Sequence, residues 1–393
     1  MLSDSSHSDS TKELRAAYVT TFDPDDIHAW SGLIYHIKQA LVRSGIVVES
    51  LSNLNKGAFL ICAVKLAAYR LLRKVYHRDR EPALLKDYAQ QIIAQLKPEH
   101  DFVFSPGTLA IGKLETDKPM VIWTDSTFAG LVDTYPEYEN LCAETLQNGH
   151  KIEGEVLNRL SLAIYSSEWA AQSAINDYGM DPKRVKVIPF GANLECDRDE
   201  ETIRQFAAKK STETLQLLFL GVDWYRKGGD TVLATAQKLN DRGIPVELHV
   251  AGVTPPGEMP DFVIQHGFLS KKNPEQLAKL NQLMEESHFL FLPSRSECFG
   301  IVFAEAASFG LPSISTKVGG IPSAVMEGQS GYLFDLDCPT EEIADVIESN
   351  FRDSARYQEL SLTAFQCFRS TLNWEVSGEV ARQAIQEAIA NPR

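Results

Sequence analysis

Two glutamates and two adjacent cations are the residues of this chain best placed to do chemistry. Glu297 and Glu305, with seven residues between them, bracket the end of a polar turn, Ser294-Arg-Ser-Glu-Cys-Phe-Gly300, and the start of a helical stretch read over 301–309. An apolar run over 288–293 precedes the turn and reads as a buried strand, and Gly310 ends the helix. Strand, loop and helix start in that order leave backbone N–H groups free to meet an anion such as a phosphate. A carboxylate there competes with the anion unless it accepts hydrogen bonds from sugar hydroxyls, so the pair asks for a ligand with phosphate and polyol character together. Glu305 also falls within Ile-Val-Phe-Ala-Glu-Ala-Ala. An unpaired charge buried there costs on the order of 3–5 kcal/mol. Upstream, Arg226 and Lys227 follow the apolar run 215–221 and precede a helix read over 230–239. Cations at a strand's carboxyl end, beside a helix start, suit a diphosphate whose charge grows as it departs.

These features occur in order with Pro293-Ser294 before the first glutamate, and with Gly310-Leu-Pro312, Val318-Gly-Gly-Ile-Pro322, Gly328 and Gly331-Tyr-Leu-Phe after the second. Together they resemble the donor-site signature of the retaining glycosyltransferase family 4 (glycosyl transferases group 1), of the GT-B fold. The resemblance implies that Glu297 contacts the transferred sugar near the reacting carbon and that Glu305 holds the ribose hydroxyls of a nucleotide. Backbone amides around Phe299, Gly300, Ile301 and Val302 would receive sugar and diphosphate oxygens. The turn from Gly221 to Lys227 is similar to the family's diphosphate turn, with Arg226 and Lys227 stabilising the leaving group, and main chain near Phe268 would meet the base. Trp30, Ser31 and Gly32 are similar to the glycine turn that opens the acceptor domain. Three positions depart from the pattern: Val222 stands where arginine is common, Asp125 where histidine is, and Ser323 where glutamate is. Asp125 either orients an acceptor hydroxyl or caps the segment after it.

The elements that must position these residues alternate as strands and helices twice over. Strands are expected at 14–21, 46–51, 101–105, 120–124, 162–166 and 185–189, then, after a polar and charged stretch, at 215–221, 246–252, 265–269 and 288–293. The fold class is α/β: two doubly wound Rossmann-like domains facing across a cleft, with a C-terminal helix that the resemblance sends back onto the first domain. The 393 residues divide into a disordered tail (1–13), an acceptor domain (14–195), a linker (196–213), a nucleotide-sugar domain (214–372) and the closing helix (373–393).

A formal charge of −15 argues against a nucleic-acid partner. Six scattered cysteines without a Cys-x-x-Cys pair indicate reduced thiols in a cytoplasmic protein without a zinc site, and Cys298 reads as a buried filler. The polar first residues carry no signal peptide. Residues 56–80 break the acidic background, with seven Lys and Arg against one Asp and apolar residues between them. That segment is either an ordinary helix packed on the sheet or a surface for peripheral contact with an anionic membrane at its inner face; its apolar runs are too short to span one.

The expected activity is transfer of a sugar from a UDP- or GDP-sugar to a hydroxyl acceptor, with retention, without a metal, and with no cofactor beyond the nucleotide sugar. A GT-B phosphorylase or sugar-nucleotide epimerase would use the same phosphate turns, and a non-catalytic sugar-nucleotide-binding subunit would keep them as well.

Overall fold

The computed structural model describes residues 13–54, 59–132 and 134–390. The tail expected over 1–13 lies outside them except for Glu13, as does Lys56 of the basic segment. Six apolar runs form the first sheet: β1 (Arg15–Val19), β2 (Val47–Leu51), β3 (Phe102–Ser105), β4 (Met120–Thr124), β5 (Leu162–Tyr165) and β6 (Val185–Val187). The second holds β7 (Leu215–Leu220), β8 (Val246–Ala251), β9 (Val263–Gly267), β10 (Phe289–Phe291), β11 (Ser313–Thr316) and β12 (Gly331–Phe334). Every neighbouring pair is parallel, with helical crossovers covering both faces, and the central strands β3, β4, β5 and β10 are buried at every position.

The order of strands decides where ligands meet the fold. The first sheet runs β2-β1-β3-β4-β5-β6 and the second β12-β11-β10-β7-β8-β9. In each sheet the direction of winding reverses once, between β1 and β3 and between β7 and β10, which opens a crevice at the carboxyl ends of those strands. The loops bordering the two crevices carry Trp30, Ser31 and Gly32 in one half, and Arg226, Lys227 and Glu297 in the other.

Three readings of the sequence need correcting. β9 begins and ends two residues earlier than expected, and β11 and β12 were not expected at all. The stretch 196–213, read as a linker, carries the helix Glu200–Lys209, capped by Asp199 and burying Ile203 and Ala207 against the helix Ser354–Ser370. Its charged residues face water while two apolar ones face inward, so composition alone hid the helix.

The last helix, Trp374–Ala390, crosses back to the first sheet and packs along the helix Leu33–Arg43. Gly378 allows the close approach, since a side chain there would come within 2.6 Å of the Ala40 carbonyl oxygen. The Trp374 ring sits 5.5 Å from Phe190, 5.7 Å from Trp123 and 5.9 Å from His36, centroid to centroid. Its Nε1 donates to Asn193 Oδ1 at 2.9 Å, and Asn193 Nδ2 donates to the Ser31 carbonyl at 2.7 Å. The closing helix thereby holds the Ser31 turn. Trp374→Ala is expected to lower the unfolding free energy by about 3–5 kcal/mol, the usual cost of emptying a buried aromatic site, as measured by urea unfolding.

Candidate functional site

A cleft of about 540 Å³ opens where the two crevices face each other. Its walls include Trp30, Ser31 and Asp125 from the first half and Arg226, Glu297, Phe299, Gly300 and Ile301 from the second. Glu297 leaves the turn after β10 with its side chain largely buried, and Lys227 donates a hydrogen bond to its Oε2. Arg226 Nη1 lies 3.7 Å from the same oxygen and donates to the Ser296 carbonyl at 3.1 Å. Two cations on one carboxylate compensate a desolvation that neither charge would tolerate alone.

Close backbone packing fixes the turn that carries Glu297. Gly319 and Gly320 lie against it so tightly that any side chain would collide with the carbonyl oxygens of Glu297 and Cys298, and Gly320 N donates to Glu297 O at 3.1 Å. Gly300, with φ of +85°, turns the chain into the helix Ile301–Ala307. Gly300 and Ile301, at the start of that helix, line the cleft. Burial pushes the Cys298 thiol up, consistent with a filler and not a nucleophile.

Glu305 is 3% exposed and takes a hydrogen bond from Lys271, in the loop after β9. It is not in the lining of the cleft. The sequence announced a charge that needed a partner, but a lysine 34 residues away leaves no spacing signal. Gly221 N donates to Ala251 O at 3.1 Å behind Lys227, Val302 sits in the first helical turn, and neither lines the cleft. Phe268 is 68% exposed and lies outside it too.

On the opposite wall, Asp125 stands half-buried at the tip of β4. Burial pushes its carboxyl up to about 7, and the charge of Glu297 adds to the rise. The cap of the next helix, Phe128–Leu131, is Thr127, whose Oγ1 accepts from Gly130 N at 3.1 Å. Of the two roles open to Asp125, capping is therefore filled by another residue. Trp30 and Ser31 take left-handed backbone angles, φ of +49° and +55°, ahead of Gly32 at +84°. Such strain persists only where surrounding packing imposes it, here through Asn193.

Sequence reasoning missed four residues of this region. Arg80 and Glu153 form a buried pair at 3.8 Å in the cleft wall, Thr108 Oγ1 donates to Glu153 Oε2 at 2.6 Å, and burial raises the Glu153 carboxyl. Tyr135 reaches across the cleft: its hydroxyl accepts from Cys298 N at 2.9 Å and its ring lies 5.3 Å from the Arg226 guanidinium. Ser323, which departs from the family pattern, accepts from Glu168 N at 3.2 Å and so also ties the two halves. Three Asp-x-Asp pairs occur, at 23/25, 197/199 and 335/337, and none lines this cleft.

Residues 214–353 match the family model described as Glycosyl transferases group 1. The chain is 30% identical over 231 residues to a D-inositol 3-phosphate glycosyltransferase of Rhodococcus erythropolis, covering 54% of this chain and 51% of that protein. It is 28% identical over 255 residues to that of Rhodococcus opacus, covering 61% and 56%. It thus spans little more than half the length of these curated relatives. Among solved structures it resembles sucrose-phosphate synthase from Thermosynechococcus elongatus, with a TM-score of 0.67 at 15% identity over 96% of this chain and 99% of that one. It also resembles Anabaena HepE in complex with UDP and glucose, with a TM-score of 0.59 at 16% identity over 95% and 100%. Residues 214–353 thus resemble the glycosyl transferases group 1 family, and two facing Rossmann-like sheets give the chain the GT-B fold.

Proposed function

We propose that the chain transfers a sugar from a nucleoside diphosphate sugar to a hydroxyl acceptor with retention at the anomeric carbon, in the cytoplasm and without a metal. The observation that carries this reading is Glu297 and Arg226 at the wall of the interdomain cleft, with Lys227, outside the lining, donating to Glu297. Lys227 and Arg226 supply positive charge where a diphosphate leaves, and the helix Ile301–Ala307 offers its first amides to the same oxygens. Glu297 positions the sugar, and Glu305, outside the cleft lining and held by Lys271, reaches the nucleotide ribose only if the ribose displaces that lysine. UDP is the nucleotide supported by the likeness to a UDP-bound structure. The six cysteines, all free, fit a reducing compartment.

The bond from the anomeric carbon to the diphosphate breaks as the acceptor oxygen attacks on the same face, the departing diphosphate oxygen takes the acceptor proton, and Asp125 orients the acceptor hydroxyl from the opposite wall. Bridging contacts from Tyr135 and Ser323 keep the halves together and exclude water. The relatives are named for a phosphorylated acceptor, but the lining here sets Asp79, Asp125, Glu137, Glu153 and Glu297 against Arg80 and Arg226. With Glu153 paired to Arg80 and Glu297 to Arg226 and Lys227, Asp79, Asp125 and Glu137 remain, which favours a neutral polyol over a second anion.

With a panel of nucleotide sugars and polyol acceptors, Lys227→Ala and Glu297→Ala should each lower turnover by about 100-fold, on the scale of losing one charge-stabilising donor, while the unfolding transition remains cooperative. Transfer at wild-type rates by both variants would refute the assignment, and turnover only with free phosphate would point to a phosphorylase. Asp125→Asn gives two further readouts. Its folded carboxyl titrates near 7 against an ordinary value of 3.8, so from about pH 4 to 7 the unfolded chain has released a proton that the folded chain keeps. Wild-type stability therefore falls as pH rises through that window, and the asparagine variant should lose this fall in urea unfolding. Its rate should also lose the rise around pH 7 that ionisation of Asp125 gives the wild type.

A further inference from the structure

The helix Phe59–Leu71 turns its polar side toward the protein and its apolar side outward. Cys62, Lys65 and Tyr69 form the inner face. Lys65 Nζ donates to Glu81 Oε2 at 2.7 Å and to Glu144 Oε1 at 2.6 Å, Tyr69 OH donates to Glu144 Oε2 at 3.0 Å, and the Tyr69 ring stacks on Tyr76 at 5.5 Å. Outside, Ile61, Val64, Ala68 and Leu71 recur at three- and four-residue spacing, all exposed, and Leu72 continues the stripe. Val64 is 70%, Leu71 87% and Leu72 67% exposed. Scattered apolar side chains on a surface need no explanation, but a contiguous stripe of them does.

Charge identifies what covers the stripe. The chain carries −15 overall, yet residues 59–80 hold six Lys and Arg against one Asp. Arg70, Arg73, Lys74 and Arg78 are exposed at the end of the stripe. The fitting partner is apolar in depth and negative at its surface, and a second copy of this chain would bring those cations against one another. Thirteen residues rise about 20 Å, short of the roughly 30 Å hydrocarbon core, and no helix among the described residues is long and apolar enough to cross a membrane.

We propose that this helix docks on an anionic lipid bilayer, lying in the interfacial plane with Val64, Leu71 and Leu72 among the acyl chains and Arg70 and Arg73 at the headgroups. The segment runs on to Arg80 in the cleft wall, and Lys65 grips Glu144 in the first turn of the helix that carries Glu153. Docking therefore sets the first half of the cleft beside the bilayer. The inference stands apart from the transferase reading, because binding to lipid is measured without turnover.

The test is flotation of the full chain with phosphatidylcholine vesicles and with vesicles containing phosphatidylglycerol. The chain should float with the anionic vesicles, release them at high salt, and stay behind with phosphatidylcholine alone. The combined change Val64→Ser, Leu71→Ser and Leu72→Ser should lower the bound fraction at least tenfold with the unfolding temperature preserved. Arg70→Gln with Arg73→Gln, which leaves the apolar stripe intact, should abolish the preference for anionic lipid even if the serine variant does not fold. Absence of flotation by the wild type would overturn the proposal. So would a dimer in light scattering that the serine variant dissociates while neither protein meets vesicles.

Discussion

One carboxylate held by two cations at a switch of winding is the interaction on which the second half of this molecule is arranged. Glu297, Lys227 and Arg226 come from loops about 70 residues apart, and they meet because β7 and β10 are neighbours whose crossovers depart in opposite directions. Burying such a cluster is tolerable only when the surrounding backbone holds it, and here Gly319 and Gly320 pack against the Glu297 loop with no room for a side chain. The same cluster is where positive charge is needed once a diphosphate begins to leave. Stability and chemistry thus place the same demand on these residues.

In the first half, aromatic packing fixes the turn at the cleft. Trp374 inserts among Trp123, Phe190 and His36 and, through Asn193, fixes the strained Ser31 turn. Polar and ring contacts between the two halves include the Tyr135 hydroxyl on the Cys298 amide and its ring beside Arg226, Ser323 on Glu168, Phe190 against Phe299 at 5.5 Å, and Lys272 near Asp26 at 3.8 Å. Polar contacts of this kind at the cleft rim can part and re-form as ligands enter and leave.

Much of this was legible because the signals were local. Apolar runs bounded by turns located ten of the twelve strands, and a carboxylate at a helix start beside a glycine marked the loop after β10. What escaped was non-local or disguised. The strand β11 reads Ser-Ile-Ser-Thr, a polar run that is buried because Ser315 donates to the Leu292 carbonyl and Thr316 to the Ser294 carbonyl. Lys271 and Tyr135 act through partners far away in sequence, which periodicity does not register. The helix Phe59–Leu71 was read with its apolar side inward as one alternative; two glutamates that capture Lys65 turn it the other way.

The most direct measurement is a double-mutant cycle between Lys227→Met and Glu297→Gln, read as unfolding free energy in urea. A buried pair that anchors the cleft predicts that each single change costs about 3–5 kcal/mol and that the double change costs well under their sum, since with both partners gone neither Lys227 nor Glu297 is left facing an empty place and Arg226 keeps its bond to the Ser296 carbonyl. Single effects that add within about 0.5 kcal/mol would show two independent residues and contradict the account.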